Sequence, residues 1–405
     1  MNKKYVGLFL SAVACVPAIA AADGAAPAAP AAPSLSDVLV STGITANGYV
    51  SASYNASLNS TNGATGSQIP LHQFDTNSNT FSLNQAALTL SYLPSSGFGA
   101  LVNVVTGEDA KAINGAYANG SSDFALTQGY VQYAVGNLTV IGGRFVTLAG
   151  EEVIDDTKNA NISRSLLFTN LEPLVHTGVR ATYKVSDLLT VNGGFNNSAL
   201  GGPSQDSNKF KTLEVNATIT PNSATTIALT DYYGVDGNGA TQTKNNYFDV
   251  VGSWQATPAL LLAVNGDYVR SIGTLDTLPG AIGGPASGAA GTDTLAGLAL
   301  YGSYSINDSW KASLRGEYVY AKGSPTASAS GIGHVAELTA TIDYAAAKSF
   351  DILGEFREDY GSVTAPGFDA GIFPSANNTT TGTQKSQTEF LVKAIYKFGT
   401  PVPSS

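Results

Sequence analysis

The 405-residue sequence predicts an all-β fold: a transmembrane, antiparallel, up-and-down β-barrel of about 16 strands, with short periplasmic turns and long extracellular loops. Three observations predict it. Charged residues make up 12% of the chain, where soluble globular domains carry about 25%, and no long apolar run takes their place. Apolar and polar residues alternate in short segments from residue 43 onward. The connections between those segments run long, short, long, short to the end, the turn-and-loop parity of outer-membrane barrels.

The chain opens on the pattern of a secretory signal peptide over residues 1–20. Lys3 and Lys4 form its positive end, residues 5–17 its apolar stretch, and Ala18-Ile19-Ala20 a small-x-small cleavage site. A competing lipoprotein reading sets Ala12-Val13-Ala14 before Cys15 but lacks the usual Leu, and apolar residues continue past the Cys. Cys15 is the sole cysteine, so the mature chain has no disulfide. Loss of Lys3 and Lys4 takes the formal charge from −10 to −12. That acidity, without a basic run, argues against nucleic acid as a partner; it equally serves plain solubility. Residues 21–42 contain the Ala/Pro-rich stretch AADGAAPAAPAAPS and read as an extended periplasmic linker, or as a spacer with no role.

Sixteen strands follow: 43–57, 81–93, 97–106, 124–136, 137–147, 174–185, 188–198, 209–220, 223–235, 245–256, 259–271, 293–306, 308–322, 333–346, 349–361 and 386–398. The barrel therefore spans 43–398, with a tail at 399–405. Tight turns such as Gly136-Asn137, Ser186-Asp187 and Asn307-Asp308 join alternate pairs, because these residues adopt turn geometry without strain. The other connections (58–80, 107–123, 148–173, 199–208, 236–244, 272–292, 323–332 and 362–385) are rich in Gly, Ser, Thr, Asn and Pro.

Within strands the faces separate by parity. In 308–322, Trp310, Ala312, Leu314, Tyr318 and Tyr320 oppose Lys311, Ser313, Arg315 and Glu317. A slip of one residue would put every charge into lipid, so register is well specified. Strand 223–235 is the exception: Ile227 and Leu229 share parity with Asp231, which predicts a bulge or a misplaced boundary. Outward aromatics gather at strand ends, Tyr92, Tyr133, Tyr183, Trp254 and Trp310 near the short turns, Tyr54, Phe145, Phe195, Tyr268 and Tyr318 near the long loops. Two such belts suit two lipid–water interfaces.

The segments GRFVTLAGEEVIDD (143–156), NISRSLLFTNLEP (161–173) and HTGVRATY (176–183), with GITANGYVSASYN (43–55), resemble the OmpL-like family of outer-membrane β-barrel porins. The resemblance implies an outer-membrane location in a Gram-negative cell and diffusion of solutes, with no defined substrate. The expected function is a water-filled channel for passive diffusion of small hydrophilic solutes; a non-conducting structural or adhesive barrel shares every barrel signal.

Parity assigns Arg144, His176, Arg180, Lys184, Glu214, Asp249, Asp267, Lys311, Arg315, Glu337, Asp343 and Glu355 to the lumen as pore-lining residues, together with Asp351, Lys393 and Lys397. These charges either form facing walls of opposite sign or pair locally between neighbouring strands. The longest loop, 148–173, carries Glu151, Glu152, Asp155, Asp156, Lys158 and Arg164, then an apolar Leu166-Leu167-Phe168. The third long loop of porins this size often folds inward, and the triplet is placed to anchor it there, or else against the rim or a neighbouring subunit. Folded inward, its acidic residues are expected to face Arg144 and Arg180.

Catalysis is not expected. His72, His176 and His334 have no Ser or Asp at a telling spacing, and neither metal-ligand spacing nor a phosphate loop is present, so no cofactor is implied. Expected partners are outer-membrane lipid, outer-membrane assembly machinery, small hydrophilic solutes and, in a homo-oligomer such as a trimer, further copies of the chain.

Overall fold

The computed structural model describes residues 35–58, 69, 71–115, 122–200, 206, 208–237, 242–274, 290–322, 332–365, 368–371, 373–375 and 378–400. Residues 1–34, the expected leader and most of the expected linker, lie outside them, as do residues 401–405 of the expected tail. Leu35–Thr42, the last eight residues of the expected linker, form a helix (α1).

Sixteen long strands make the wall: β1 Thr45–Ser57, β2 Thr80–Tyr92, β3 Gly97–Thr106, β4 Phe124–Val135, β5 Leu138–Val146, β6 Val175–Lys184, β7 Leu189–Asn196, β8 Thr212–Asn222, β9 Thr225–Asp236, β10 Thr243–Thr257, β11 Leu260–Thr274, β12 Ala290–Ser305, β13 Trp310–Lys322, β14 Ile332–Ala347, β15 Phe350–Ala365 and β16 Ser386–Gly399. Each pairs antiparallel with its neighbours in sequence, and β16 pairs back onto β1, with Ala52 opposite Ala394. Closure leaves no free edge, the condition for a sheet to sit in hydrocarbon. The last long connection is not plain loop: β15 runs on to Ala365, and short strands cover Phe368–Gly371, Phe373–Ser375 and Asn378–Gln384.

Side chains sort by face as the alternation requires. Leu314, on β13 midway between Trp310 and Tyr318, is 59% exposed, whereas its neighbour Arg315 is fully buried. Trp310 stacks on Tyr344 at one girdle, ring centroids 4.5 Å apart. Phe356 and Phe390 meet at the other, 5.2 Å apart.

Strand β9, expected to carry a bulge or a misplaced boundary, begins at Thr225 instead of 223, and its pairing with β8 shifts register between Ile219 and Asn222, but no bulge falls between Ile227 and Asp231. Its pairing with β10 is continuous from Thr225 to Asp236, and Asp231 lies opposite the outward Phe248 and Val215. The carboxylate simply sits on the outer face, where Asn246 Nδ2 donates to it at 3.1 and 3.3 Å. Placement toward the loop end, one residue from Tyr232 and two from the exposed Tyr233, makes an outward charge tolerable.

Candidate functional site in the barrel lumen

Loop 148–173 lies inside the barrel and is tied to strands on several sides of its wall. Leu148 N–H donates to Tyr232 on β9 (3.1 Å) and Glu151 N–H to Asn265 on β11 (2.9 Å). Asp156 accepts from Ser51 on β1 (2.6 Å) and Lys393 on β16 (3.0 Å). Asn161 donates to Thr341 on β14 (2.7 Å), and Glu355 on β15 accepts the N–H groups of Ile162 (2.6 Å) and Ser163 (2.9 Å).

The end of the loop is a short helix, α3 (Leu166–Asn170), whose first N–H groups have no partner within the helix. Carboxylates supply them. Glu317 on β13 accepts from Leu166 (2.6 Å) and Leu167 (3.2 Å), Glu152 accepts from Ser165 (2.6 Å), and the Ser165 hydroxyl caps Phe168 N–H (2.9 Å). Leu166, Leu167 and Phe168 are buried. Leu167 packs so closely on Gly297 of β12 that a Cβ there would lie 2.3 Å from its side chain. The apolar triplet thus anchors the loop to the inner wall. Gly150, at φ +86, makes the turn into the loop, and a Cβ there would collide with Glu172.

Two other loops join it inside. Helix α2 (Glu108–Gly115) brings Ala110 and Ile113, and the first loop brings Phe74, into one buried cluster with Ile154, Ile162 and Phe168.

The guanidinium of Arg315 is the hub of the polar contacts. It donates to Glu337 (3.0 Å), Glu152 (2.7 Å) and the Ser163 carbonyl (2.8 Å). Arg357 donates to Asp359 (2.9 Å) and the Arg164 carbonyl (2.7 Å), and Arg164 reaches Asp156 (2.8 Å). Asp155 caps the single turn Asp156–Lys158 through Thr157 N–H (2.9 Å) and lies 3.6 Å from Lys158.

Several charges of the wall pair locally. Arg180 meets Glu214 at 2.5 and 2.9 Å, Lys311 meets Asp343 at 3.4 Å, and Lys397 meets Asp351. Lys184 is half exposed at the turn end and pairs with Asp187 (2.7 Å). His176 is buried, stacked on Tyr232 at 4.4 Å. Asp249 and Asp267 are buried opposite each other on β10 and β11; Asn265 donates to Asp249 (2.8 Å) and Tyr247 to Asp267 (2.9 Å). On the loop, burial and then Asp267 and Asp249 raise Glu172 well above the usual carboxylate range.

Two expectations are corrected. Arg144 does not face the lumen: it lies opposite Gly129 and Thr177 on the face that carries Val131 and Val179, two residues from the loop end of β5. Phe145, expected in the outer girdle, is the inward residue, 1% exposed, with the Arg180 guanidinium 4.2 Å over its ring. Nor do the loop's acidic residues face Arg144 and Arg180. Glu152 is held by Arg315, and Asp156 by Arg164 and Lys393, while Arg180 is occupied by Glu214.

Between the loop and strands β10–β13 is a cavity of about 340 Å³, lined among others by Glu151, Glu152, Lys158, Tyr301, Ser303 and Lys311. Its lining includes Pro258 and Ser305, so it reaches toward the short turns. Burial, with Glu152 and Asp249 nearby, pushes the Glu151 carboxyl up to about 7.

Parity alone missed Arg357, Asp359 and Glu389, although Arg357 and Asp359 continue the inward series of Asp351 and Glu355. His334 Nε2 lies 3.2 Å from Ser362 Oγ, a contact between strands invisible in spacing.

The sequence matches the family described as "Putative beta-barrel porin-2, OmpL-like" over residues 43–398. No curated protein sequence matches it. Solved structures share the fold. The outer membrane channel DcaP of Acinetobacter baumannii superposes with a TM-score of 0.58 at 12% identity, covering 88% of this chain and 97% of that one. OmpT, an outer membrane protein of Vibrio cholerae, gives 0.56 at 14% identity, covering 88% and 97%. The anion-selective porin from Comamonas acidovorans gives 0.54 at 11% identity, covering 88% and 99%.

Proposed function

The chain belongs to the OmpL-like β-barrel porin family, and from that premise we propose that it forms a water-filled channel for passive diffusion of small hydrophilic solutes, narrowed by loop 148–173. The observation that carries this reading is the loop itself, seated within a closed sixteen-strand wall beside a cavity with polar lining. A barrel of sixteen strands is too wide for side chains alone to fill. Purified full-length protein in planar bilayers is expected to give stable, ohmic conductance steps.

A second reading, a non-conducting structural or adhesive barrel, is favoured by the apolar cluster that three loops build inside the wall. Silence from well-folded protein would support it. An enzyme has less support: the His334–Ser362 contact is one pair, and hydrolysis by such a pair also needs an oriented ring and an anion-stabilising site.

The channel reading has a pH consequence at Glu151. A carboxyl held up near 7 is neutral below that pH and charged above it. Cation preference should therefore rise as pH goes from about 6 to about 8, and E151Q should flatten the rise. Reversal potentials in a salt gradient measure it; an unaltered pH profile in E151Q would place Glu151 off the ion path.

A further inference from the structure

We propose that His72, Asp359 and Glu389 form a binding site for a transition-metal dication of the zinc type, which pins the first long loop to the β15–β16 seam. The donor atoms are already gathered. His72 Nε2 lies 3.0 Å from Asp359 Oδ2 and 3.7 Å from Glu389 Oε1, and the three donors lie within 4.8 Å of one another. In a tetrahedral site with bonds of about 2.0–2.2 Å, donor atoms are about 3.3–3.6 Å apart, so the set needs only small adjustment.

The surroundings favour a metal over a chance cluster. Asp75 Oδ2 holds the other ring nitrogen, Nδ1, at 2.6 Å, the carboxylate–histidine arrangement that orients a ligating imidazole and raises its basicity. Asp359 spends its Oδ1 on Arg357 and leaves Oδ2 toward the ring. Asn55 Nδ2 fixes Glu389 through Oε2 (3.3 Å). Three carboxylates, Asp75, Asp359 and Glu389, gather on one ring beside the Arg357 guanidinium, a concentration of negative charge that a dication offsets. Asn55 Oδ1 and Asp75 Oδ1, on side chains more than nine-tenths buried, have no hydrogen-bond partner among the described residues. The donor set of one imidazole and two carboxylates suits zinc and its first-row neighbours better than calcium or magnesium, which take oxygen ligands alone. Leu71, just before His72, sits at φ +64, a conformation a bulky residue adopts only where its surroundings impose it.

The site joins elements that are distant in sequence. His72 and Asp75 belong to the loop between β1 and β2, while Asp359 and Glu389 belong to the two strands beside the barrel's closing seam. A bound metal would hold that loop, with Phe74, inside the barrel.

The test uses full-length protein in detergent, stripped by a chelator and titrated with zinc, with bound metal counted after gel filtration. Wild type and H334A should retain one zinc per chain, and H72A and E389Q should lose it. D75N keeps the donors but loses the orienting carboxylate, so its affinity should fall about 10–100-fold. Circular dichroism verifies that each variant keeps its strands. No zinc on wild type at micromolar concentration would overturn the proposal and leave an imidazolium held by carboxylates. Zinc uptake that survives both H72A and E389Q in folded protein would overturn it equally.

Discussion

Replacing Arg315 by Met is expected to unseat the lumen loop. The guanidinium is fully buried and is met by Glu152 at 2.7 Å, Glu337 at 3.0 Å and Glu317 at 3.6 Å. Without it, three carboxylates face one another with no cation between them, and breaking a buried ion pair from one side costs about 3–5 kcal/mol. The strands are held by their own ladders, so the cost should fall on the loop. In R315M the loop should become open to protease, and conductance should rise and grow noisy. Adding E152Q and E337Q should recover part of the loss, since the uncompensated charge goes with them. An R315M protein with a protected loop and wild-type conductance would show that Arg315 does not hold it.

The second large effect concerns the outer face. Leu314 lies midway between the girdle residues Trp310 and Tyr318, exposed, with Gly302 and Ala340 beside it. An arginine at that depth should cost about 2–4 kcal/mol, whereas the same charge near an interface costs about 0–1 kcal/mol. L314R should therefore be far more destabilised than Y318R when both are refolded into lipid vesicles and unfolded in denaturant. Equal stabilities would mean that the band at Leu314 does not sit in hydrocarbon.

Both predictions rest on a wall that was legible in the sequence and a lumen that was only partly so. Strand parity is a local property, so Lys311, Arg315, Glu337 and Asp343 could be placed inward from their neighbours alone. It fails where neighbours carry no signal. Gly142 and Gly143 say nothing about face, and Arg144 shares parity with Leu138, Val140 and Val146, so its inward placement has no support in its own strand. Tertiary contacts reverse it, because Phe145 is the platform for Arg180. Asp231 shows the same limit: an outward charge near the rim needs no bulge once Asn246 bonds to it. The inward path of loop 148–173 was suggested by Leu166-Leu167-Phe168, but its partners were not, since Glu152 and Arg315 are 163 residues apart. The His72 cluster was hidden for the same reason, since His72 and Asp359 are 287 residues apart.

As a channel, the barrel conducts and the folded-in loop sets how much. Planar-bilayer recordings of wild type beside a chain with residues 151–170 replaced by a short Gly/Ser link test it most directly. Ohmic steps from wild type, and steps several-fold larger from the shortened chain, are predicted. No steps from either folded protein, or steps of equal size from both, would contradict it.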